Sequence, residues 1–363
     1  MRPETSMNHD RQDARRDRAI RKGAEPQTAR KQDDPFALGR VTAASVAAGA
    51  ATGSSSLGGG LGAPIAMRND ISLMLLPVFV DGPGPIDAEF DGHRLRVYVE
   101  GDDGRMASPT DRKILNFLAG AIAARIRSGQ AGSRHIRIET RPLIEALRAD
   151  GVVGGAEYER LIASLKRLMG TVIETTMPLG DGVSRERRFR WVDAYEHDNH
   201  TTSGGKSILS LQITLSDDAF MWMTRTLGFE VAQPEFAAVT ASRSSAWRIY
   251  EICFAQLIQA KSATSAIHID DLRRRVPISA PLKVFKSRTL RTAMETIAAT
   301  PEMNAHIRLL LERRTPKGFE EVDFAKRVSH DDLFVRIMRG RRAWPAMNVL
   351  LSQADAVTAL ARA

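Results

Sequence analysis

His268–Ile297 reads HIDDLRRRVPISAPLKVFKSRTLRTAMETI, and its reading decides the fold. A short strand-like start leads into a helix with three consecutive arginines, then a Pro-containing turn, then a second basic helix. From Asp271 to Arg291, the residues Arg273, Arg274, Arg275, Lys283, Lys286, Arg288 and Arg291 face the single acid Asp271, seven positive charges to one negative. A helix–turn–helix of this charge suits a nucleic-acid groove, although basic helices are also common solvated faces. The rest of the chain has to decide between the two.

Turning 100° per residue from Leu282 collects Leu282, Phe285, Leu290, Ala293 and Ile297 on one apolar face. Val284, Ser287, Arg288 and Arg291 fall on the other side, with Lys283 at the flank. Lys286 projects close to the apolar face, where it either snorkels outward or packs by its stem. Lys283, Ser287, Arg288 and Arg291 are therefore the expected DNA contacts, ahead of Lys286. Arginine can read guanine bidentately, whereas lysine more often anchors phosphate. Arg273, Arg274 and Arg275, on the preceding helix, are expected to contact phosphate.

The same order of elements stands upstream. Ser108-Pro109-Thr110-Asp111 writes a helix start, with a capping hydroxyl, Pro at the first helical position and an acid at the third. Ile114, Leu115, Leu118, Ala121, Ile122 and Ile126 continue it at helical spacing. HIRIET reads as a strand and TRPLIEALR as a short helix. A helix from about Ala156 to Met169 follows, with Tyr158, Leu161, Ile162, Leu165, Leu168 and Met169 in one stripe. Arg160, Ser164 and Arg167 on its opposite face suit a groove. TVIETTM and RRFRWVDAYE, joined through Gly-Asp-Gly, read as a hairpin. Its alternation sends Arg188 and Arg190 to one face and Phe189 and Trp191 to the other, either a wing on DNA or a solvated strand over an aromatic pair. SILSLQITLS, SRSSAWRIYEICFAQLIQ, AIHID and DLRRRV then repeat strand, helix, strand, helix, with HIRLLLERRT starting a second wing.

The expected fold class is α+β, two tandem winged-helix domains behind a disordered tail. The tail covers 1–70, mixed in charge and then rich in Gly, Ala and Ser, which cannot offset chain entropy. LMLLPVFV and HRLRVYV, after it, suggest strands. The first domain spans 71–205, the second 206–315, and an extension 316–363.

Composition agrees with a nucleic-acid partner. The 363 residues carry a formal charge of +9, which attracts phosphate backbones. The lone cysteine, Cys253, sits in the apolar run IYEICFAQLI, so no disulfide framework exists and a reducing, cytoplasmic compartment fits. No apolar run approaches the ~18 residues of a membrane span, and the N-terminus lacks a signal-peptide core.

Four segments resemble the bacterial plasmid replication initiator protein A family. YERLIASLKRLMGTVIET (Tyr158–Thr175) resembles its Tyr-Glu-Arg-Leu helix followed by Leu-x-Gly-Thr-x-Ile-x-Thr. LQITLSDDAFMWM (Leu211–Met223) resembles the strand before its second half, and AWRIYEI (Ala246–Ile252) its Arg-Arg-Ile-Tyr-Glu segment. APLKVFKSRTLR (Ala280–Arg291) resembles its Ser-Pro-Leu-Lys-x-Phe-Arg recognition segment. The four run in order from about Gly104 to Glu312. Two departures stand out: Ala280 replaces a serine, with Ser279 beside it as a substitute cap, and Arg288 stands where an apolar residue is expected. The resemblance implies a tandem winged-helix initiator that binds double-stranded origin repeats and recruits host replication proteins such as a helicase or its loader. It also implies dimerisation as a brake, and no catalysis or cofactor.

The alternatives are a winged-helix transcriptional regulator and a DNA-nicking enzyme. Catalytic signals are weak. Gly204-Gly205-Lys206-Ser207 lacks the first glycine of a phosphate loop, His200 standing there, and precedes a strand. His197-Asp198-Asn199-His200 lacks a third metal ligand and is expected in a polar loop. Tyr158 and Tyr250 fall on apolar stripes.

Overall fold

The computed structural model describes residues 66–79, 84–90, 93–100, 105–147, 155–180, 183–202, 205–276, 278, 280–326, 328–351 and 355, within the unit Gly39–Ala363. The expected tail lies outside these residues up to position 65, but its last four positions do not belong to a tail. Met67–Asp70 form strand β1, all four residues buried. Asp70 then caps helix α1 (Ile71–Leu75), accepting from the Leu73 amide at 2.9 Å, so LMLLPVFV opens as a helix and not a strand. Strands β2 (Ile86–Phe90) and β3 (His93–Val99) follow as an antiparallel pair.

The first repeat opens as its sequence reads. Ser108 and Asp111 form a reciprocal capping box with Pro109 first in helix α2 (Pro109–Arg127). Strand β4 (His135–Glu139), helix α3 (Thr140–Leu147) and helix α4 (Gly155–Gly170) follow. The hairpin of β5 (Thr171–Gly180) and β6 (Val183–Arg190) then departs from expectation. It joins a sheet ordered β2-β3-β5-β6 and leaves the first repeat's own sheet to others.

RRFRWVDAYE is two strands, because Trp191 and Val192 are buried in succession and break the two-residue alternation. Trp191 turns into a cluster with Phe79, Phe189 and Trp222, while Val192 begins strand β7 (Val192–Thr202) under a different sheet. That sheet is ordered β4-β8-β7 and is closed by strand β8 (Gly205–Leu215). The SILSLQITLS strand thus belongs to the first repeat, beyond the expected boundary at 205. The His197–His200 segment lies in β7 instead of a loop.

Helix α5 (Asp217–Arg225), strand β9 (Gly228–Val231) and helix α6 (Gln233–Thr240) connect the repeats. β9 pairs with β1, and Gly228 allows the approach: a Cβ there would stand 2.7 Å from the Asn69 carbonyl oxygen.

The second repeat comprises helix α7 (Ser244–Gln259), strand β10 (Thr264–His268), helix α8 (Ile269–Arg275), a three-part basic helix, helix α11 (Pro301–His306) and strand β11 (Ile307–Thr315). The basic helix runs through α9 (Leu282–Val284), a π-helical turn (Phe285–Leu290) and α10 (Arg291–Ala299). The short strand β12 (Gly318–Glu321) hairpins onto β11. Strand β13 (Leu333–Arg339) pairs with both β10 and β11, giving the order β10-β13-β11-β12. The 316–363 extension therefore supplies the strand that closes this sheet, and a boundary at 315 would cut it. Strand β14 (Met347–Asn348) pairs with β9. All strand pairs are antiparallel, and the fold is α+β.

A buried polar joint unites the repeats. Arg112 on α2 and Glu251 on α7 pair at 2.6 Å, each side chain 3% exposed. Arg248 donates to the Met74 carbonyl at 2.6 Å, and burial lowers its guanidinium to about 9. Asn116 on α2 donates to the Arg68 carbonyl and the Asn69 amide oxygen. Burial raises the Asp70 carboxyl to about 6, against hydrogen bonds from Leu73 and the Trp222 indole.

Candidate nucleic-acid interface

The basic helix of the second repeat is built by its apolar spacing. Phe285 and Leu290 are both fully buried although five residues apart, a spacing that an α-helix would splay. The wide π turn absorbs the extra residue and keeps both on one face, a local feature frequent at functional sites. Lys283, Val284, Ser287, Arg288 and Arg291 are exposed as their helical projection requires. Arg291 pairs with Glu295 at 2.9 Å. Among the described residues neither Lys283 nor Arg288 joins an ion pair. Lys286 packs by its stem: it is buried, its ammonium donates to the Lys326 carbonyl at 3.0 Å, and burial lowers its pKa.

The arginines of α8 are engaged. Asp270 accepts from Arg273 at 3.0 Å and from Arg274 at 3.0 Å, and Arg274 also reaches Asp271. Arg275 is half-buried and points a donor at the Leu75 carbonyl. Phosphate contact by these three would compete with bonds already made.

In the first repeat the expected groove face is largely occupied. Ser164 is buried and hydrogen-bonds Arg167. Arg167 grips the buried Asp111 carboxylate with two bonds of 2.8 and 2.7 Å, which hold its guanidinium above the usual range. Ser164 and Arg167 thus fasten α4 to the start of α2, and a groove contact by them would compete with these bonds. Arg160 is exposed and pairs with Glu157 at 2.8 Å. Lys166, which the sequence pattern did not single out, is exposed on α4.

Arg188 and Arg190 take the outer face of β6 and Phe189 the inner, matching the alternation, yet both arginines pair with Glu100. Three more exposed cations escaped notice: Arg308 and Arg314 on β11, and Lys317 at the β11–β12 turn. ERRTPKGFEE carried the signal, a basic turn between two short strands.

Tyr250 and the cysteine are buried in the core, while Tyr158 is half-buried. Tyr250 is buried against His306 at 2.7 Å, and burial pushes its phenol up, as it does the Cys253 thiol. No group of three or more potential metal ligands forms among the described residues. Nor is any described helix long and apolar enough to cross a membrane.

Two solved structures align with the chain at 10% sequence identity. A crystal structure of domains 2 and 3 of RctB covers 73% of this chain and 93% of its own, with a TM-score of 0.44. Another of RctB domains 2-3 covers 78% and 96%, with a TM-score of 0.43. No curated protein matches significantly. Residues 68–302, more than half of the chain, match the family model described as Replication initiator protein A, and the chain belongs to that family.

Proposed function

We propose that the protein starts plasmid replication by sequence-specific binding of duplex origin repeats, with two tandem winged-helix units and no catalytic step of its own. The carrying observation is the exposed, uncommitted set Lys283, Ser287 and Arg288 on the third helix of a unit whose sheet, β10-β13-β11-β12, sets its last strand between the first two. That order recurs in both repeats, and a basic third helix over such a sheet can enter a major groove. Arg288 and Arg291 would meet base edges and Lys283 phosphate, with Arg291 exchanging Glu295 for DNA. Bound origin DNA would then be opened, or a host helicase or its loader recruited, beside the repeats.

Selection of DNA fragments by the purified protein, followed by a test of whether they support replication in a cell supplied with it, addresses the reading directly. On a selected site, Arg288→Ala with Arg291→Ala should weaken specific binding more than nonspecific binding, by roughly 1–3 kcal/mol per lost base contact. Arg167→Ala should lower stability and leave the ratio of specific to nonspecific affinity unchanged. Equal losses on cognate and scrambled duplexes in the Arg288/Arg291 variant would make the helix a phosphate clamp.

A further inference from the structure

The sheet β10-β13-β11-β12 has two unlike faces. Ile267, Leu311, Val335 and Ile337 bury one face against α7. The opposite face bears an aromatic chain across the strands. His268 meets Phe334 edge-on at 5.1 Å, and Phe334 meets Phe319 at 5.5 Å and 85°. Phe319 is 46% exposed on β12, a strand with every residue exposed. Strand alternation and the register Arg314↔Phe319 and Glu312↔Phe334 put Arg308 and Arg314 on this same face, with Lys317 at its turn. All three cations are exposed, and among the described residues none is in an ion pair. Of the two acids on this face, Glu312 is buried and paired with Arg336 at 3.3 Å, and Glu321, opposite it on β12, is exposed.

We propose that this ring-and-arginine face binds single-stranded DNA, with unpaired bases stacking on Phe319 and Phe334 and the backbone tracking Arg308, Arg314 and Lys317. An exposed ring, Phe319, continued by the half-buried Phe334 and set beside uncommitted cations, is what a single strand can use, because its bases offer free π-faces. Duplex DNA offers base edges and phosphates only. A second copy of the chain is a poorer occupant, since a two-fold contact through this face would set the same unpaired cations against each other. The face is the one opposite α7, and its residues are distinct from Lys283 and Arg288, so a duplex on those two and a single strand on Phe319 would not compete for the same side chains. An opened strand would thus be kept by the molecule that holds the adjacent duplex. The assignment stands on this face alone and does not need the duplex reading.

Fluorescence anisotropy of the full chain with labelled oligo(dT) of about 20 nucleotides tests it, a length above one sheet-sized site. Phe319→Ala should weaken binding about tenfold, the loss expected of one stacked base, and Phe319→Tyr should retain it. Arg314→Ala should weaken it further and flatten its salt dependence, while Lys283→Ala with Arg288→Ala should leave it unchanged. Three results would each overturn the assignment. One is wild-type oligo(dT) affinity in the Phe319→Ala, Arg314→Ala double variant. Another is loss of oligo(dT) binding in the Lys283/Arg288 variant. The third is a dimer that sediments as a monomer in Phe319→Ala with oligo(dT) affinity intact.

Discussion

The third helices of the two repeats occupy equivalent places in their repeats and differ in how far their charge is neutralised. α4 carries three cations and two acids, and its arginines are tied to Glu157 and Asp111. The stretch from α9 through α10 carries four cations and one acid, and leaves Lys283 and Arg288 uncommitted. Repetition of fold has not brought repetition of interface. The second repeat leaves exposed charge unpaired on its third helix, and the first uses its charge to fasten helices together and in internal pairs.

That contrast has force only if the repeats form one body, and the joint between them offers the largest effect. Glu251→Ala would leave Arg112 buried without its carboxylate and weaken the hold on Arg248. Breaking one side of a buried pair costs about 3–5 kcal/mol, so the urea midpoint should fall sharply while unfolding stays a single transition. Two separated transitions, with the first repeat unaffected, would show instead that the repeats melt independently.

Asp70 probes the same joint through pH. Its folded carboxyl titrates at about 6 against 3.8 for the ordinary group, so the fold favours the protonated form. That stabilisation is complete below about 3.8 and is lost as pH rises through about 6, on the order of 2–3 kcal/mol in all. Asp70→Asn keeps an oxygen to cap α1 and accept from Trp222. The variant should be the more stable protein at pH 7.5 and lose its advantage near pH 4, by calorimetry. A wild-type-like pH dependence in Asp70→Asn would assign the titration to another group.

How much of this was legible in the sequence follows from how local each cause is. The α2 start was readable because Ser108, Pro109 and Asp111 cap within one turn. The outward set on the basic helix was readable because projection needs only the spacing of apolar residues. Sheet membership was not, since each closing strand comes after an insertion: β5 and β6 precede β7–β8, and β12 precedes β13. The succession Trp191-Val192 marked where the chain changes sheets, but two adjacent apolar residues mean that only once their burial is known. Charge was legible and its commitment was not. Arg167 finds Asp111 across 56 residues, Arg190 finds Glu100 across 90, and Lys286 is decided by a carbonyl 40 residues away. The pattern of residues gave the order of elements and the family resemblance agreed with it, but neither showed which cations the fold would leave free.

The smallest effect sharpens the contrast most. Arg188 and Arg190 are exposed on β6 and share the Glu100 carboxylate, with Glu174 a second partner of Arg188 at 3.6 Å, so the first repeat's positive face is silenced by pairing and not by burial. Glu100→Gln removes the charge and keeps the shape. Solvent-exposed pairs contribute at most about 1 kcal/mol, so stability should hardly change. With Arg190 released and Arg188 left only its 3.6 Å contact with Glu174, the two guanidiniums should raise affinity for nonsequence-specific duplex DNA a few-fold at low salt. They should also steepen the fall of log affinity with log salt, by ~0.9 for each phosphate newly met. Under the proposed function, which gives base reading to Arg288 and Arg291, the same substitution should leave discrimination between cognate and scrambled sites unaltered. A gain in specific discrimination would mean that the first repeat reads bases too, and the two repeats would differ in degree and not in kind.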